Sequence, residues 1–250
     1  MFFFKTSSLA RRITALLAIF LISNLARVSS PAFQVKQSPE KLPLLISEDF
    51  EDGRAERWAP NFPDHWQVGK EEGSFAYQLI VPGEQGTLRS PTSWSLLKDF
   101  DVSSFVFTGR MKCKTDPSNK YRDMCVFFHF QDPKHFYYVH FAASSDEVHN
   151  IIAIVNGKDR VKIDCEPPGR STSRLVDLQF HDFKVTYDDE TGEIKAFLDD
   201  MSAPILTATD KTLSHGFMGL GSFDDTGSFD DIKLWGKTIK NEGGQFEHKK

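Results

Sequence analysis

Apolar and polar residues alternate along most of this chain in short runs, each closed by turn-forming residues. The runs at 104–113 (SFVFTGRMKC), 124–130 (MCVFFHF), 136–142 (FYYVHFA), 150–155 (NIIAIV), 160–165 (RVKIDC), 182–188 (DFKVTYD), 193–200 (EIKAFLDD), 217–223 (FMGLGSF) and 229–235 (FDDIKLW) are rich in Val, Ile, Phe and Tyr. A period of two in such residues predicts β-strands. The joints agree: Pro133 falls in a tight turn within QDPKH, Asn156-Gly157 is a favoured two-residue hairpin turn, and DDETGE at 188–193 makes a third hairpin. No helical periodicity interrupts the strands. Many short antiparallel strands with hairpin joints predict an all-β antiparallel β-sandwich, or jelly roll.

Alternation also assigns faces. In 104–113, Phe105, Phe107, Gly109, Met111 and Cys113 share one side, and Val106, Thr108, Arg110 and Lys112 the other. In 124–130, Val126, Phe128 and Phe130 oppose Cys125, Phe127 and His129. A hairpin closed at Pro133 puts His129 beside Tyr138 and Phe127 beside His140, with Tyr137, Val139 and Phe141 in the core. One sheet face then collects Arg110, Lys112, Phe127, His129, Tyr138 and His140. Rings to stack on and donors for hydroxyls are what a sugar-binding surface needs, and these six residues are the expected substrate-binding set. The alternative is a half-solvated outer face of mixed residues.

Composition narrows the class. The chain has 250 residues, 40% hydrophobic and 26% charged, with net charge −5, which suits one full core and offers no basic stripe for nucleic acid. The first thirty residues differ: a basic patch (Lys5, Arg11, Arg12), an apolar run from Ile13 to Leu25, then small residues. That is the layout of a cleavable secretory signal, and the run is short for a membrane span. The expected organisation is a signal peptide over 1–32, a linker over 33–46, the sandwich domain over 47–237 and a flexible tail over 238–250. The protein is thus expected to be secreted or extracytoplasmic, without stable membrane insertion after signal removal. Export permits disulfides, and Cys113 and Cys125 bracket a polar turn across which they could face each other, leaving Cys165 over.

Catalytic patterns are sparse. Two-carboxylate glycoside hydrolysis on a strand calls for Glu-x-Asp-x-(x)-Glu on one face, and the strands lack it. The doubled phrase SFDDTGSFDDIKLW at 222–235 supplies Asp224/Asp225 and Asp230/Asp231, but adjacent strand residues point to opposite faces. A metal-assisted route survives: His129 and His140, read as one face, could share a metal with a carboxylate from a third element.

The ordered series EDFEDGRAERW (48–58), WQVGKEEGSFAYQL (66–79), VFFHFQDPKHFYYVHF (126–141), VTYDDETGEIKAFLDD (185–200), HGFMGLGSF (215–223) and SFDDIKLW (228–235) resembles the concanavalin A-like lectin/glucanase sandwiches. The resemblance is to secreted bacterial 3-keto-disaccharide hydrolase domains in particular, distant relatives of family 16 glycoside hydrolases, and spans roughly residues 45–236. It implies carbohydrate as partner. It also implies an alternative activity, hydrolysis or elimination of keto-disaccharides, with His129 and His140 as catalytic groups on the concave face. Such sandwiches often hold a structural calcium joining first and last strands. Carried over, its ligands would be Asp230 with Glu51 and the Gly73 turn, although Asp230 could equally cap a turn.

Overall fold

The computed structural model describes residues 42–167 and 169–239. The stretch read as a signal peptide, most of the linker and most of the tail lie outside the described residues. Apart from one 3-10 turn at Pro63–His65, the regular elements are strands. They are β1 (Leu44–Glu48), β2 (Trp58–Pro60), β3 (Trp66–Glu71), β4 (Ser74–Leu79), β5 (Ser93–Cys113), β6 (Asp123–Asp132), β7 (His135–Ala142), β8 (Ile151–Asn156), β9 (Val161–Lys162), β10 (Asp164–Cys165), β11 (His181–Tyr187), β12 (Glu193–Leu198), β13 (Leu206–Thr209), β14 (Gly216–Ser222) and β15 (Gly227–Thr238). Among the described residues no helix is long and apolar enough to cross a membrane.

β5 organises the fold. It is 21 residues long. Its first part pairs with β14 and β2, and its second part with β11 and β15. One sheet, sheet I, therefore runs β9-β8-β7-β6-β14-β5-β2, and sheet II runs β10-β13-β12-β11-β5-β15, with β1 and the β3–β4 hairpin on β15. The ladder is antiparallel throughout. The exposed Lys98 and Asp99 mark the corner where β5 leaves one sheet for the other.

The phenylalanines fill the space between the sheets. Val126, Phe128, Met218 and Leu220 of sheet I face Phe107, Phe183, Val185 and Leu198 of sheet II, all buried in one cluster. Phe105 reaches Phe128 at 5.5 Å between ring centroids, and Phe141 reaches Phe183 at 6.4 Å. Each such ring contributes about 1.5–3 kcal/mol relative to exposure. A second cluster lies on the other face of sheet I, where Cys125, Phe127, Phe130, Phe136 and Tyr138 are buried together and Leu88 and Phe223 pack on them.

Several expectations are corrected here. β1 begins at Leu44, inside the segment read as linker. The β8–β9 return pairs Ile154 with Val161, wider than a two-residue Asn156-Gly157 turn. The run 160–165 is broken, since β9 pairs β8 whereas β10 pairs β13 of the other sheet. Cys113 and Cys125 are both free thiols, one in the core between the sheets and the other on the opposite face of sheet I, so no bridge joins them.

Candidate functional site

The expected face divides in three. Phe127, Tyr138 and His140 do share a side of sheet I, with Phe127 directly opposite Tyr138 and Cys125 opposite His140. They are buried rather than open to a ligand, because the second apolar cluster fills that side. Arg110 and Lys112 are elsewhere: that half of β5 belongs to sheet II. There Arg110 Nη2 lies 2.6 Å from Asp230 Oδ2 and its Nε 2.7 Å from Asp231 Oδ2, while Lys112 Nζ donates to Glu71 and Glu72 at 2.9 and 2.6 Å.

His129 is inverted by a bulge. Asp132 pairs His135 at the turn, but Phe128 pairs Tyr137, so β6 carries two more residues than β7 over that stretch. His129 takes a left-handed φ of +46°, which turns its ring into the core and sends Phe130 to the other side. β14 crosses this bulge closely: a Cβ on Gly216 would lie 2.4 Å from the His129 carbonyl carbon. The imidazole contacts the carbonyls of Leu213 and Ser103, both at 2.8 Å, and packs edge-on to Tyr187 at 4.4 Å. Burial holds its pKa below the ordinary range. His129 and His140 therefore occupy opposite faces of sheet I and cannot share a substrate or a metal.

The residues expected to hold calcium do not fit one. Asp230 is buried, with Oδ2 on Arg110 and Oδ1 accepting the Asp231 N–H at 2.7 Å. Glu51 instead accepts the Ser74 hydroxyl and, at 2.8 Å, the Phe75 N–H just after Gly73, pinning the opening segment to the β3–β4 turn. An aspartate neutralised by a guanidinium is a poor calcium ligand. Adding calcium to chelator-stripped protein is expected to leave the thermal midpoint unchanged; a rise would reinstate the ion.

Chemistry instead gathers where β6 begins and β7 and β14 end. Asp123 Oδ2 lies 2.7 Å from His140 Nε2, and Asp123 Oδ1 accepts the Ser222 hydroxyl at 2.6 Å and the Phe223 N–H at 3.1 Å. Asp225 accepts the Asp123 N–H at 2.7 Å and the Thr115 hydroxyl. Burial, then the neighbouring Asp123 carboxylate, pushes the Asp225 pKa up to about 6. Asp224 faces solvent beside them, and the same two causes raise its pKa as well.

Around this knot stands a rim of rings and charges. His149, held by Asp146 through Nδ1 at 2.9 Å, stacks on Tyr121 at 4.8 Å and lies 5.6 Å from His140. Phe223 sits 5.2 Å from His140, and the Arg160 guanidinium covers its ring at 4.5 Å. Tyr121 is 48% exposed, and the Lys120 ammonium lies over its ring at 4.8 Å. Tyr121, His149 and Asp224 stand on loops, where alternation says nothing, and Arg160 and Phe223, at the ends of the predicted runs 160–165 and 217–223, fall just outside the strands that form. The available signals were the Asp146-to-His149 spacing in SSDEVHN and the first copy of Ser-Phe-Asp-Asp.

A two-sheet antiparallel sandwich of this topology is the jelly-roll fold of the lectin-like proteins. No protein-family model matches the chain, and no curated protein matches it. Solved structures do. The chain is similar to the carbohydrate-binding module CBM66 from Bacillus subtilis, at 17% identity and a TM-score of 0.52 over 72% of this chain and 95% of that one. It is similar to a protein of unknown function with a galectin-like fold, also from Bacillus subtilis, at 11% identity and a TM-score of 0.52 over 80% and 99% of the two chains. Lectin I-B4 from Griffonia simplicifolia follows at 13% identity and a TM-score of 0.51 over 77% and 99%. At these identities the likeness establishes the fold.

Proposed function

We propose that the protein is an exported carbohydrate-binding β-sandwich, and that sugar docks on the rim formed by Tyr121, His149, Asp224 and Arg160. The observation that carries this is the half-exposed Tyr121 ring, stacked on His149, covered only by the mobile-stemmed Lys120 ammonium and set near a solvent-facing carboxylate. A pyranose offers an apolar C–H face for stacking and hydroxyls that donate to a carboxylate or accept from a guanidinium, which is this combination of groups. The lectin and the carbohydrate-binding module among the structural neighbours support the reading by analogy of fold. Export rests on the charged, apolar, small-residue order of the first thirty residues.

The enzymatic alternative, a keto-disaccharide hydrolase or lyase using His129 and His140, has no common site to act in. His140 has a partner on each ring nitrogen, Val148 O at 3.0 Å and Asp123 at 2.7 Å, which leaves no free nitrogen facing solvent to act as a base.

A glycan array with purified protein identifies the ligand. Tyr121→Ala is then expected to weaken binding about fivefold, the ~1 kcal/mol of one ring stack, with the melting curve unchanged. Equal affinity in Tyr121→Ala and Asp224→Ala would remove this rim as the binding site.

A further inference from the structure

Beneath the rim, Cys125, Asp123 and His140 are closed off from solvent, at 0%, 1% and 2% exposure. The Cys125 Sγ, an Asp123 carboxylate oxygen and a His140 ring nitrogen all lie within 4.8 Å of one another. We propose that these three side chains bind a divalent cation of the zinc class, with the Asp224 carboxylate beside Asp123 on the solvent side. A thiolate, an imidazole and a carboxylate together suit a borderline cation such as Zn2+, whereas calcium and magnesium prefer oxygen alone. The assignment goes beyond the carbohydrate reading and does not depend on it.

Strand register builds the site. Cys125 and His140 are direct cross-strand partners on β6 and β7, so their side chains stand next to each other. Asp123 precedes Cys125 by two positions on the same strand and shares its face. A carboxylate oxygen of Asp224, on the turn after β14, lies within 4.8 Å of oxygens of Asp123 and Asp225 and gives an ion a way in from solvent.

Three features suit the cluster to a cation. The first is the orientation of the His140 ring. His140 Nδ1 lies 3.0 Å from the Val148 carbonyl, which can only accept, so that nitrogen carries the proton. The other ring nitrogen, Nε2, faces Asp123 Oδ2 at 2.7 Å and points into the cluster. An imidazole that gives its other N–H to a backbone carbonyl is in the usual posture of a metal-bound histidine. The second is the Cys125 thiol, fully buried and without a hydrogen-bond partner among the described residues, directed at the same two groups. The third is charge: Asp123 and Asp225 are both buried, and among the described residues neither is paired with a lysine or arginine. Binding releases the Cys125 thiol proton and any proton on His140 Nε2 to solvent, and the thiolate, the Nε2 lone pair and the carboxylate become the ligands.

Titrating the chelator-stripped protein with Co2+, a spectroscopic stand-in for Zn2+, tests the site. One equivalent is expected to bind with a thiolate-to-cobalt charge-transfer band, which excess Zn2+ bleaches. Cys125→Ser should abolish the band, and Cys165→Ser, which alters the one exposed thiol, should keep it. Should Cys125→Ser fail to fold, Asp224→Asn decides, because its exposed side chain can change without unpacking the sheet; about tenfold weaker Co2+ binding is expected. The absence of a charge-transfer band in the unmodified protein overturns the site, as does a band that survives in Cys125→Ser or vanishes with Cys165→Ser. Unchanged Co2+ affinity in Asp224→Asn also counts against it. Glycan binding that fails while the cobalt band persists would sink only the carbohydrate reading.

Discussion

His129→Ala is expected to lower folding stability by about 4 kcal/mol without touching the rim at Tyr121. Truncating a fully buried ring leaves a cavity beside Tyr187, Phe105 and Phe128, and large-to-small changes of that kind cost roughly 3–5 kcal/mol. One of the Ser103 and Leu213 carbonyls also loses the single N–H of the neutral ring, and an unsatisfied buried acceptor adds about 1 kcal/mol or more. The loss should depend on pH. Burial lowers the His129 pKa, His215 pushes the same way, and the Ser103 and Leu213 carbonyls and Asp101 oppose. Below the ordinary histidine pKa the unfolded chain binds a proton that the folded protein refuses, so the wild-type protein loses stability as pH falls through that window. The alanine variant lacks that penalty. Urea midpoints at neutral pH and near pH 5 should show the gap between the two proteins narrowing in acid; a gap that widens would mean that His129 is charged in the folded state.

That residue also shows where the alternation rule ends. A period of two read β6 and β7 correctly from Cys125 to Phe128 and from Tyr137 to Phe141, because those stretches pair without interruption. The bulge at His129 leaves the composition of the strand unaltered, and its backbone partner Gly216 stands 87 positions later. Arg110 and Lys112 share a face, as alternation predicts, but not with Phe127, His129, Tyr138 or His140, which belong to β6 and β7. Alternation carries no record of which sheet a strand joins, and β5 joins both. Lys98 and Asp99 interrupt the period at the corner and hide its first half from the alternation. The doubled Ser-Phe-Asp-Asp shows the same limit. Its first copy ends β14 in the Asp123 knot, while its second copy opens β15, where Ser228 donates to Glu71 and Asp230 meets Arg110. Identical letters take different roles because one copy leaves a strand and the other enters one.

Arg110→Met is expected to destabilise the protein by about 2 kcal/mol at neutral pH while leaving carbohydrate affinity as it was. Asp230 is only 2% exposed, and removing one partner of a buried ion pair costs roughly 3–5 kcal/mol. The Arg110 side chain is itself 35% exposed, so water screens the pair and the lower figure applies. Methionine keeps most of the packing over Phe180, where the guanidinium now sits 4.9 Å from the ring centroid. The sign with pH separates electrostatics from packing. Burial already raises the Asp230 pKa, with Asp231 adding to it, while the Asp231 N–H and Arg110 oppose. Without the guanidinium the folded-state value rises further above the unfolded one, so the folded protein holds its proton over a wider range. Stability is then present below the unfolded carboxylate pKa and is lost as pH climbs through the folded one. The deficit of Arg110→Met should therefore be largest at neutral pH and shrink towards pH 4. Equal deficits at both would assign the loss to packing. A fall in carbohydrate affinity with the fold intact would return Arg110 to the binding surface and move the site from the rim of sheet I to the outer face of sheet II.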